Sequence, residues 1–373
     1  MFQLNSNITD NIKGVKLKRT AKYILKTVLR ITGLRTVLIK IKTHIYENNK
    51  KRQTLKLIPT LVPLESVKSP RYIVSLTSYG ERLANTAPYA IITLLNQNVK
   101  PDKIVLWVAN EDKQNIPQIM NKLIEKGLDI RFCEDIKSYK KLIPALDSFP
   151  DEYIITADDD VYYPKNWLEQ LIVEHRNNPR KIICHRAHGI KVDENHNPIP
   201  YRQWDTCIKP ESYFAQVFVS QEQSVLRHQP ESVFPTGVGG ILYPPKCFHR
   251  DITNKELYIK IAPYADDIWF WAMAVTNKEY FGEKSPYIVV ENGFSKNANL
   301  SLIDSRQARK GNALANYNRL KNGNEKQLKA VIEQYPQIRD IFGKIDGFDS
   351  AVYWEERYAF GKNSGDGSYN QFG

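Results

Sequence analysis

Three consecutive aspartates, Asp158, Asp159 and Asp160, are the residues whose types and spacing most clearly indicate chemistry. They directly follow the apolar run YIITA, which has the composition of a buried strand. Ionised carboxylates in such a place are costly without a counter-charge, and oxygen-rich clusters of this kind bind Mg²⁺ or Mn²⁺. The pattern therefore predicts a divalent cation on Asp158 and Asp160. The alternative interpretation is an acidic turn that faces water.

A second acidic pair, Asp266 and Asp267, precedes the strongly apolar aromatic segment IWFWAMAV. Aspartate at the start of a helix is usually an N-cap, and we assign that role to one of the two. Capping does not require both, so the other is a candidate general base that takes a proton from an attacking hydroxyl. Sequence reasoning leaves open which of the two it is.

Taken together, the two acidic sites and the glycine-rich turn PTGVGG between them predict chemistry on a phosphorylated donor. A cation on Asp158 and Asp160 can neutralise a leaving diphosphate. Three basic residues, Arg82, Lys140 and Lys141, could add positive charge against the phosphates. For each of these three residues taken alone, a position on the solvent-exposed surface is at least as good an explanation as phosphate binding.

The segments that must position these residues alternate between strand and helix patterns. Apolar strand patterns begin at Tyr72, Ile104 and Ile130, and the strand before Asp158 is the fourth. We also predict a helix near Tyr139 to Leu146 and, later in the chain, a single strand over KIICHRAHGIKV. Helical patterns separate the strands, which predicts an α/β fold with a doubly wound, mostly parallel sheet and helices on both faces. In open sheets of this kind, active-site residues lie at the carboxyl ends of the strands.

The net charge of +12 is confined to the first 60 residues, which contain 14 Lys and Arg and two acidic residues. Lys18, Lys22, Lys26 and Arg30 recur every fourth residue opposite an apolar face, which predicts a basic amphipathic helical arm. For residues 1–60 we favour an anionic membrane surface as the partner. The competing interpretations are a helix that docks on a partner protein and a nucleic-acid patch, and we do not predict nucleic acid as a partner.

The composition excludes a disordered chain, because 373 residues with 42% hydrophobic content can bury the core of one large domain with an appendage. No window reaches the run of about 18 apolar residues that a spanning helix needs. There is also no signal-peptide pattern. The four cysteines lack the spacing of a zinc site or a redox pair, so we expect reduced core residues. These observations predict a cytoplasmic protein that is peripheral on the inner face of the cell membrane.

Seven segments resemble, in order, those of bacterial GT-A-type glycosyltransferases that are related to family 2 and associated with capsule, O-antigen or lipooligosaccharide assembly. The resemblance covers about residues 70 to 335. It implies a nucleotide-sugar donor, a divalent cation on the Asp158 to Asp160 motif and a catalytic base in the pair Asp266 and Asp267. The segments are RYIVSLTSYGERL, LLNQNVKPDKIVLWV, KSYKKLIPAL, YIITADDDVYYP, ICHRAH, PTGVGGILYPP and ADDIWFWAMAV.

Residues for both substrates follow from the resemblance. Many GT-A enzymes add a C-terminal histidine to the metal, but this chain has no histidine after His249, and Asn297, Asn299 or water are the candidate replacements. We predict donor contacts by Ser75, Thr77, Tyr79, Arg82, Lys140, Lys141, Asp158 and Asp159, and acceptor contacts by Gly239, Gly240, Trp269, His185 and Arg186.

The predicted organisation is an arm (1–60), a linker (61–70), a GT-A domain (71–340) and a tail (341–373). Within the GT-A domain, a nucleotide-binding half (71–165) precedes an acceptor half (166–340). The end of the tail is similar to the lead-in of SAM-dependent methyltransferase domains. Because the glycine turn for the cofactor does not follow, we assign no such activity. We interpret the tail as a remnant of such a domain, and a flexible Gly- and Ser-rich terminus is the alternative.

The expected function is a nucleotide-sugar-dependent glycosyltransferase, of the hexosyltransferase kind. It would add a sugar to a hydroxyl of a bacterial surface glycan or of its lipid-linked precursor. One alternative is a nucleotidyl- or phosphosugar-transferase, which also needs a cation and a nucleotide pocket. The other is a catalytically silent glycan-binding protein of the same fold.

Overall fold

The structure, a computed structural model, describes residues 34–65, 71–193, 197–208, 233–282, 286–290, 301–303 and 323–343. The predicted helix with Lys18 to Arg30, the substitute ligands Asn297 and Asn299, and residues 344–373 of the tail lie outside them. The chain divides into two compact units, within one helix at Val173. Unit 1 comprises residues 1–173 and 299–312, and unit 2 comprises residues 174–298 and 313–373. The predicted domain bounds stay predictions.

Unit 1 is built on four parallel strands in the order β4-β1-β2-β3. The central strand β1 is almost entirely buried, as expected for an apolar run covered on both faces. The parallel register places the carboxyl ends of β1 and β4 side by side, with Leu76 opposite Ala157. The predicted α/β class with a mostly parallel sheet is confirmed. The strands of unit 1 are β1 (Tyr72–Ser78), β2 (Lys103–Ala109), β3 (Leu128–Cys133), β4 (Tyr153–Ala157), β5 (Val161–Tyr162) and β12 (Ser301–Leu302), the last two forming an antiparallel pair.

The helices of unit 1 follow the predicted alternation with the strands. Helix α3 is the most apolar of them, and seven of its nine residues are buried because its sequence APYAIITLL is apolar on every face. The predicted helix near Tyr139 is shorter than expected and is preceded by a 3₁₀ turn at Lys137–Lys141. The helices are α1 (Leu34–Leu55), α2 (Arg82–Asn85), α3 (Ala87–Leu95), α4 (Ile119–Ile124), α5 (Ile143–Ser148) and α6 (Trp167–Asn177), which contains the division between the units.

Unit 2 contains two small groups of strands. Strand β6 pairs antiparallel with β10 and parallel with β11, while β7 pairs antiparallel with both β8 and β9. The single strand predicted over KIICHRAHGIKV is wrong, because the chain breaks at His185 and Arg186 between β6 and β7. The strands are β6 (Ile182–Cys184), β7 (Ala187–Gly189), β8 (Asp205–Thr206), β9 (Val233–Pro235), β10 (Ile241–Tyr243) and β11 (Tyr287–Val289).

Helix α8 forms the core of unit 2. All of its residues except Asp267 are buried, which fits its all-round apolar sequence DDIWFWAMAV. Two of the four cysteines, Cys184 and Cys247, are buried in this unit, and all four are free thiols. The helices are α7 (Lys255–Ile261), α8 (Asp266–Val275), α9 (Lys278–Phe281), α10 (Gly323–Gln334) and α11 (Asp340–Gly343).

Helix α1 is the described part of the basic arm, and its two ends differ. Near its C-terminal end, the ammonium of Lys50 lies 4.3 Å from the ring centroid of Tyr162, and that of Lys51 lies 5.2 Å from the centroid of Tyr89. Farther towards its start, apolar side chains such as Ile41 and Ile45 are about half exposed. Among the described residues, no helix combines the length and the apolar character needed to cross a membrane.

Candidate active site

Asp159 lies at the centre of a charged cluster in unit 1. Strand β4 ends at Ala157 and β1 ends at Ser78, so the parallel sheet brings the aspartates to the residues that follow β1. The hydroxyl of Ser78 donates to Oδ2 of Asp159 at 2.5 Å. Arg82 donates from Nε to both carboxylate oxygens, at 3.1 and 3.0 Å, and also from Nη2. Asp159 is buried, so these bonds replace the water that its charge loses.

Asp160 shares the same guanidinium. Its Oδ2 lies 2.9 Å from Nη2 of Arg82. Burial raises the pKa of the Asp160 carboxyl to about 6, and the charges of Asp158 and Asp159 add to this, while Arg82 opposes it. For Arg82 itself, burial lowers the pKa, but the hydrogen bonds and charges of the two aspartates outweigh burial and raise it above its usual value. The cluster therefore has more negative charge than Arg82 alone balances.

Asp158 has a separate cationic partner. Its Oδ1 lies 3.4 Å from Nζ of Lys141, and its backbone N–H donates to the Tyr163 hydroxyl at 2.7 Å. The backbone carbonyl of Lys141 accepts a 2.7 Å hydrogen bond from the hydroxyl of Ser75. Strand β1 thus fixes the 3₁₀ turn that supplies Lys141.

Asp158 and Asp160 fit a divalent cation by their chemistry. Both are partly exposed carboxylates, with 26% and 19% of the side chain accessible. The raised pKa of Asp160 means that a cation beside it would relieve repulsion. In the part of the chain that the structure describes, no group of three or more His, Cys, Asp or Glu side chains could hold a metal ion. The candidate substitute ligands Asn297 and Asn299 lie outside these residues, so that donor, water or asparagine oxygens stay the predicted remaining ligands of a cation on Asp158 and Asp160.

Several predicted donor residues have structural partners instead. The Ser75 hydroxyl is buried between the Lys141 carbonyl and the Trp107 indole N–H, and Thr77 donates to the Trp107 carbonyl at 2.8 Å. Lys140 is only 2% exposed and pairs with Asp135. Ser75 and Lys140 thus help to hold the fold, and their predicted donor contacts stay predictions. Tyr79, in contrast, is 48% exposed, with the guanidinium of Arg82 at 5.7 Å from its ring centroid.

Sequence reasoning missed two residues that shape this turn. Ser78 binds Asp159, and Oδ2 of Asp112 accepts the N–H of Gly80 at 3.2 Å. Gly80 has a φ of +48°, in the left-handed region that favours glycine. The glycine in TSYGERL was a signal for such a turn. Nothing in the sequence indicates that Asp112 closes it.

The acidic pair of unit 2 lies at the start of α8. The N-cap position is occupied by Ala265 without a side-chain cap bond, so the expectation that one aspartate is the N-cap is wrong. Asp266 is buried and Asp267 is half-buried. Oδ2 of Asp267 accepts the backbone N–H of Gly237 at 3.2 Å, which joins the carboxylate to the glycine-rich turn.

The predicted acceptor residues around this turn form a close-packed arrangement. A Cβ on Gly239 would lie 3.0 Å from Cβ of Arg186 and 3.2 Å from Cβ of His185, so only glycine fits without a shift. Gly240 has a φ of +90°, and its carbonyl accepts the N–H of His185 at 3.3 Å. The guanidinium of Arg186 donates to the Thr236 hydroxyl at 2.9 Å.

Trp269 does not belong to this arrangement. It is fully buried, and its indole N–H donates to the Ile252 carbonyl at 3.0 Å. Trp269 thus packs in the core of unit 2, and its predicted acceptor contact stays a prediction. Tyr201, which sequence reasoning missed, is half-buried beside Phe234, with ring centroids 5.9 Å apart. Burial raises the pKa of the Tyr201 hydroxyl, and the charge of Asp267 raises it further.

Comparisons with known proteins bear on residues 74–234, which match the family model described as Glycosyl transferase family 2. The resemblance to family-2 glycosyltransferases is thereby confirmed over this region. The match supports a transferase of a glycosyltransferase-like kind. No curated protein gives a significant match to the chain.

Similarity to three solved structures is weak. CMP:2-keto-3-deoxy-manno-octonic acid synthetase complexed with CTP is 11% identical over 59% of this chain and 90% of that chain, with a TM-score of 0.32. HddC from Yersinia pseudotuberculosis is 11% identical over 48% and 78%, with a TM-score of 0.29. The 4-diphosphocytidyl-2C-methyl-D-erythritol synthase from Anaerococcus prevotii DSM 20548 is 15% identical over 62% and 93%, with a TM-score of 0.33. Scores this low support no conclusion about this chain.

Proposed function

We propose that the protein is a glycosyltransferase that moves a sugar, most simply a hexose, from a nucleotide-sugar donor to a hydroxyl of a bacterial surface glycan or its lipid-linked precursor. The main support for this proposal is a charged cluster, which consists of Asp158, Asp159, Asp160, Arg82 and Lys141. This cluster lies at the carboxyl ends of β1 and β4, inside the region that matches family 2.

In this proposal, unit 1 binds the donor. Asp158 and Asp160 would hold Mn²⁺ or Mg²⁺, which, when bound, neutralises charge on the leaving diphosphate. Arg82 and Lys141 place two further positive charges beside these carboxylates, and guanidinium and ammonium groups bind phosphate well. Tyr79, as the exposed aromatic residue beside Arg82, would contact the donor as well.

Asp267 is the proposed general base. The acceptor oxygen bonds to the anomeric carbon, the bond from that carbon to the diphosphate oxygen breaks, and the hydroxyl proton passes to the Asp267 carboxylate. The hydrogen bond from Gly237 orients the Asp267 carboxylate without protonating it. Asp267 is preferred to Asp266 because it is the more accessible of the two.

Product analysis tests the reaction class. Purified protein is incubated with Mn²⁺ and each member of a panel of nucleotide sugars, with and without acceptor glycans, and in parallel with nucleoside triphosphates and sugar phosphates. A glycosyltransferase releases a nucleoside diphosphate, whereas a nucleotidyltransferase working on a sugar phosphate releases diphosphate from a nucleoside triphosphate. Release of diphosphate only, or no turnover despite donor binding, would overturn the proposal in favour of the corresponding alternative.

We further propose that the arm, residues 1–60, holds the enzyme on an anionic membrane surface at the cytoplasmic face. Two features support this: the arm carries the whole net charge of +12, and α1 exposes apolar side chains at Ile41 and Ile45. Such segments bind anionic lipid through apolar burial and charge attraction. The acceptor would then be presented at the same surface.

Vesicle co-sedimentation tests the arm. The double variant Ile41→Glu/Ile45→Glu should lose at least about ten-fold in binding to anionic vesicles, because two charges replace buried apolar contacts. Val62→Glu is the matched control, since Val62 is an exposed apolar residue, 66% accessible, outside the helix. Equal sedimentation of both variants and the wild type would instead indicate a protein-docking or folding role for α1.

A further inference from the structure

Arg82 is bound by two carboxylates that differ in how firmly they are held. Nε and Nη2 of Arg82 both bond to Asp159, while Asp160 receives a single contact at 2.9 Å from Nη2. Only 6% of the Asp159 side chain is exposed, against 19% for Asp160. The contact with Asp160 is therefore the one that a ligand from solution can reach and replace.

Asp159 is itself fixed from the other side. The Ser78 hydroxyl at the end of β1 donates to its Oδ2 at 2.5 Å. A buried carboxylate that binds both a strand terminus and a guanidinium gives that guanidinium a defined position. The carbonyl of Asp160 is in turn held by the backbone N–H of Ile303, at 2.7 Å. The backbone at Asp160 thus has its own anchor, and the contact between its carboxylate and Arg82 can change without loss of the turn.

We infer that Arg82 is an internal cation that competes with the divalent cation for Asp160, and that Asp159 is the positioning residue that keeps Arg82 beside the site during the exchange. This inference rests on the proposed function, because it assumes that Asp160 is a ligand of the cation. Before the cation binds, Arg82 neutralises Asp160. After it binds, Arg82 gives up Asp160, stays on Asp159 and turns its released N–H towards the donor phosphates.

Removal of the Arg82 guanidinium should have opposite effects on two quantities, the affinity for the cation and the affinity for the donor. Without Arg82, the cation meets three carboxylates with one fewer positive charge nearby, so it binds more tightly in the absence of donor. The donor, in contrast, loses a phosphate contact and binds more weakly when the cation is saturating. A residue that only supported the fold would weaken both.

Titration of Mn²⁺ alone, followed by electron paramagnetic resonance of the free ion, tests the first effect on the full chain. Arg82→Gln should bind Mn²⁺ about ten-fold more tightly than wild type, and Arg82→Lys should stay near wild type because it keeps the charge. The matched control is Arg131→Gln, because Arg131 also bonds to a carboxylate, Asp129, at 2.9 Å from Nε but lies on β3 away from the cluster. This control should leave Mn²⁺ affinity unchanged.

Calorimetry of UDP binding at saturating Mn²⁺ tests the second effect and the role of Asp159. Arg82→Gln and Asp159→Asn should each weaken UDP binding by about ten-fold, and the double variant should be no weaker than either single one, because both remove the same positioned guanidinium. Additive losses would show that Asp159 acts independently of Arg82.

The outcomes separate this inference from the proposed cation site. If Asp160→Asn abolishes Mn²⁺ binding while Arg82→Gln leaves it at the wild-type value or weakens it, the competition is wrong and the site stands. If Asp160→Asn has no effect on Mn²⁺ binding, the proposed cation site itself fails. Thermal unfolding of each variant identifies those that lose the fold. If Arg82→Gln loses the fold, Arg82→Met takes its place in the Mn²⁺ titration, because it also removes the charge and keeps a long side chain.

Discussion

The acidic regions of the two units are held by different kinds of partner. In unit 1, Asp158 and Asp160 face Lys141 and Arg82, which are charged groups that another cation can replace. In unit 2, Oδ2 of Asp267 accepts a backbone N–H in a glycine-rich turn, which helps to hold this carboxylate in place. The difference indicates that the first region is suited to exchanging cations and the second to keeping one carboxylate in place. Variants in each region test whether the two regions differ in this way.

The largest effect is expected from Asp160→Ala. Removing a carboxylate that would hold the cation should abolish cation-dependent binding of UDP, and Asp158→Ala should weaken it strongly. Calorimetry with UDP and Mn²⁺ measures both. Asp129→Ala on β3 is the control, because it removes an equally partnered carboxylate away from the cluster. Unchanged UDP affinity in both cluster variants would show that Asp158 and Asp160 do not hold the cation. The proposed difference between the acidic regions of the two units would then be wrong as well.

Asp267→Asn should have the next largest effect, and on a different quantity. The amide keeps the shape of the side chain but cannot accept the proton, so turnover should fall by about 10² or more. UDP affinity should stay within a few-fold of wild type, because Asp267 belongs to unit 2 and is not a donor ligand in the proposal. Steady-state kinetics and calorimetry separate the two quantities. Asp266→Asn is the neighbouring comparison, and normal turnover of both variants would place the base elsewhere, with His185 and His188 as the next candidates.

The sequence predicted the acidic cluster of unit 1 well because its signal is local. A buried strand followed directly by three aspartates fixes the position of the carboxylates in the fold. Their partners are not local. Arg82 lies 77 residues before Asp159, and Ser78 lies 81 residues before it. Their pairing depends on the parallel register of β1 and β4, which a single sequence does not specify.

The features of unit 2 that sequence reasoning did not predict have a similar cause. Trp269 lies in a helix that is apolar all round, and such a helix gives no indication of which face meets a ligand. The single strand predicted across His185 and Arg186 has continuous strand-like composition. The strand is interrupted in the structure because the Arg186 side chain donates to the Thr236 hydroxyl and Gly239 packs closely against the Arg186 backbone. Long-range contacts thus override the local pattern at the residues that shape the glycine turn.

Gly239→Ala should have the smallest effect, and it tests whether the glycine turn positions the Asp267 carboxylate. The added Cβ would lie within 3.2 Å of the Arg186 backbone nitrogen and closer to its Cβ, and neither atom can move away as a flexible side-chain end would. Crowding of this kind costs about 1 to 3 kcal/mol of folding free energy. Because the same turn supplies the N–H that binds Asp267, turnover should fall by about ten-fold while UDP affinity is unchanged.

Gly282→Ala is the matched control for this variant in the same unit. Gly282 has a φ of +65° and a ψ of −144° but no atom within 4 Å of an added Cβ, so alanine there meets a backbone penalty of about 1 to 3 kcal/mol without crowding. Thermal unfolding should therefore show a loss of stability in both variants, whereas only Gly239→Ala should lose turnover. If turnover falls equally in the two, loss of stability explains it, and the turn has no special role. If Gly239→Ala keeps full turnover despite the crowding, the N–H of Gly237 is not what fixes Asp267. In that case other contacts hold the Asp267 carboxylate, and the proposed difference between charged partners in unit 1 and a backbone partner in unit 2 is wrong.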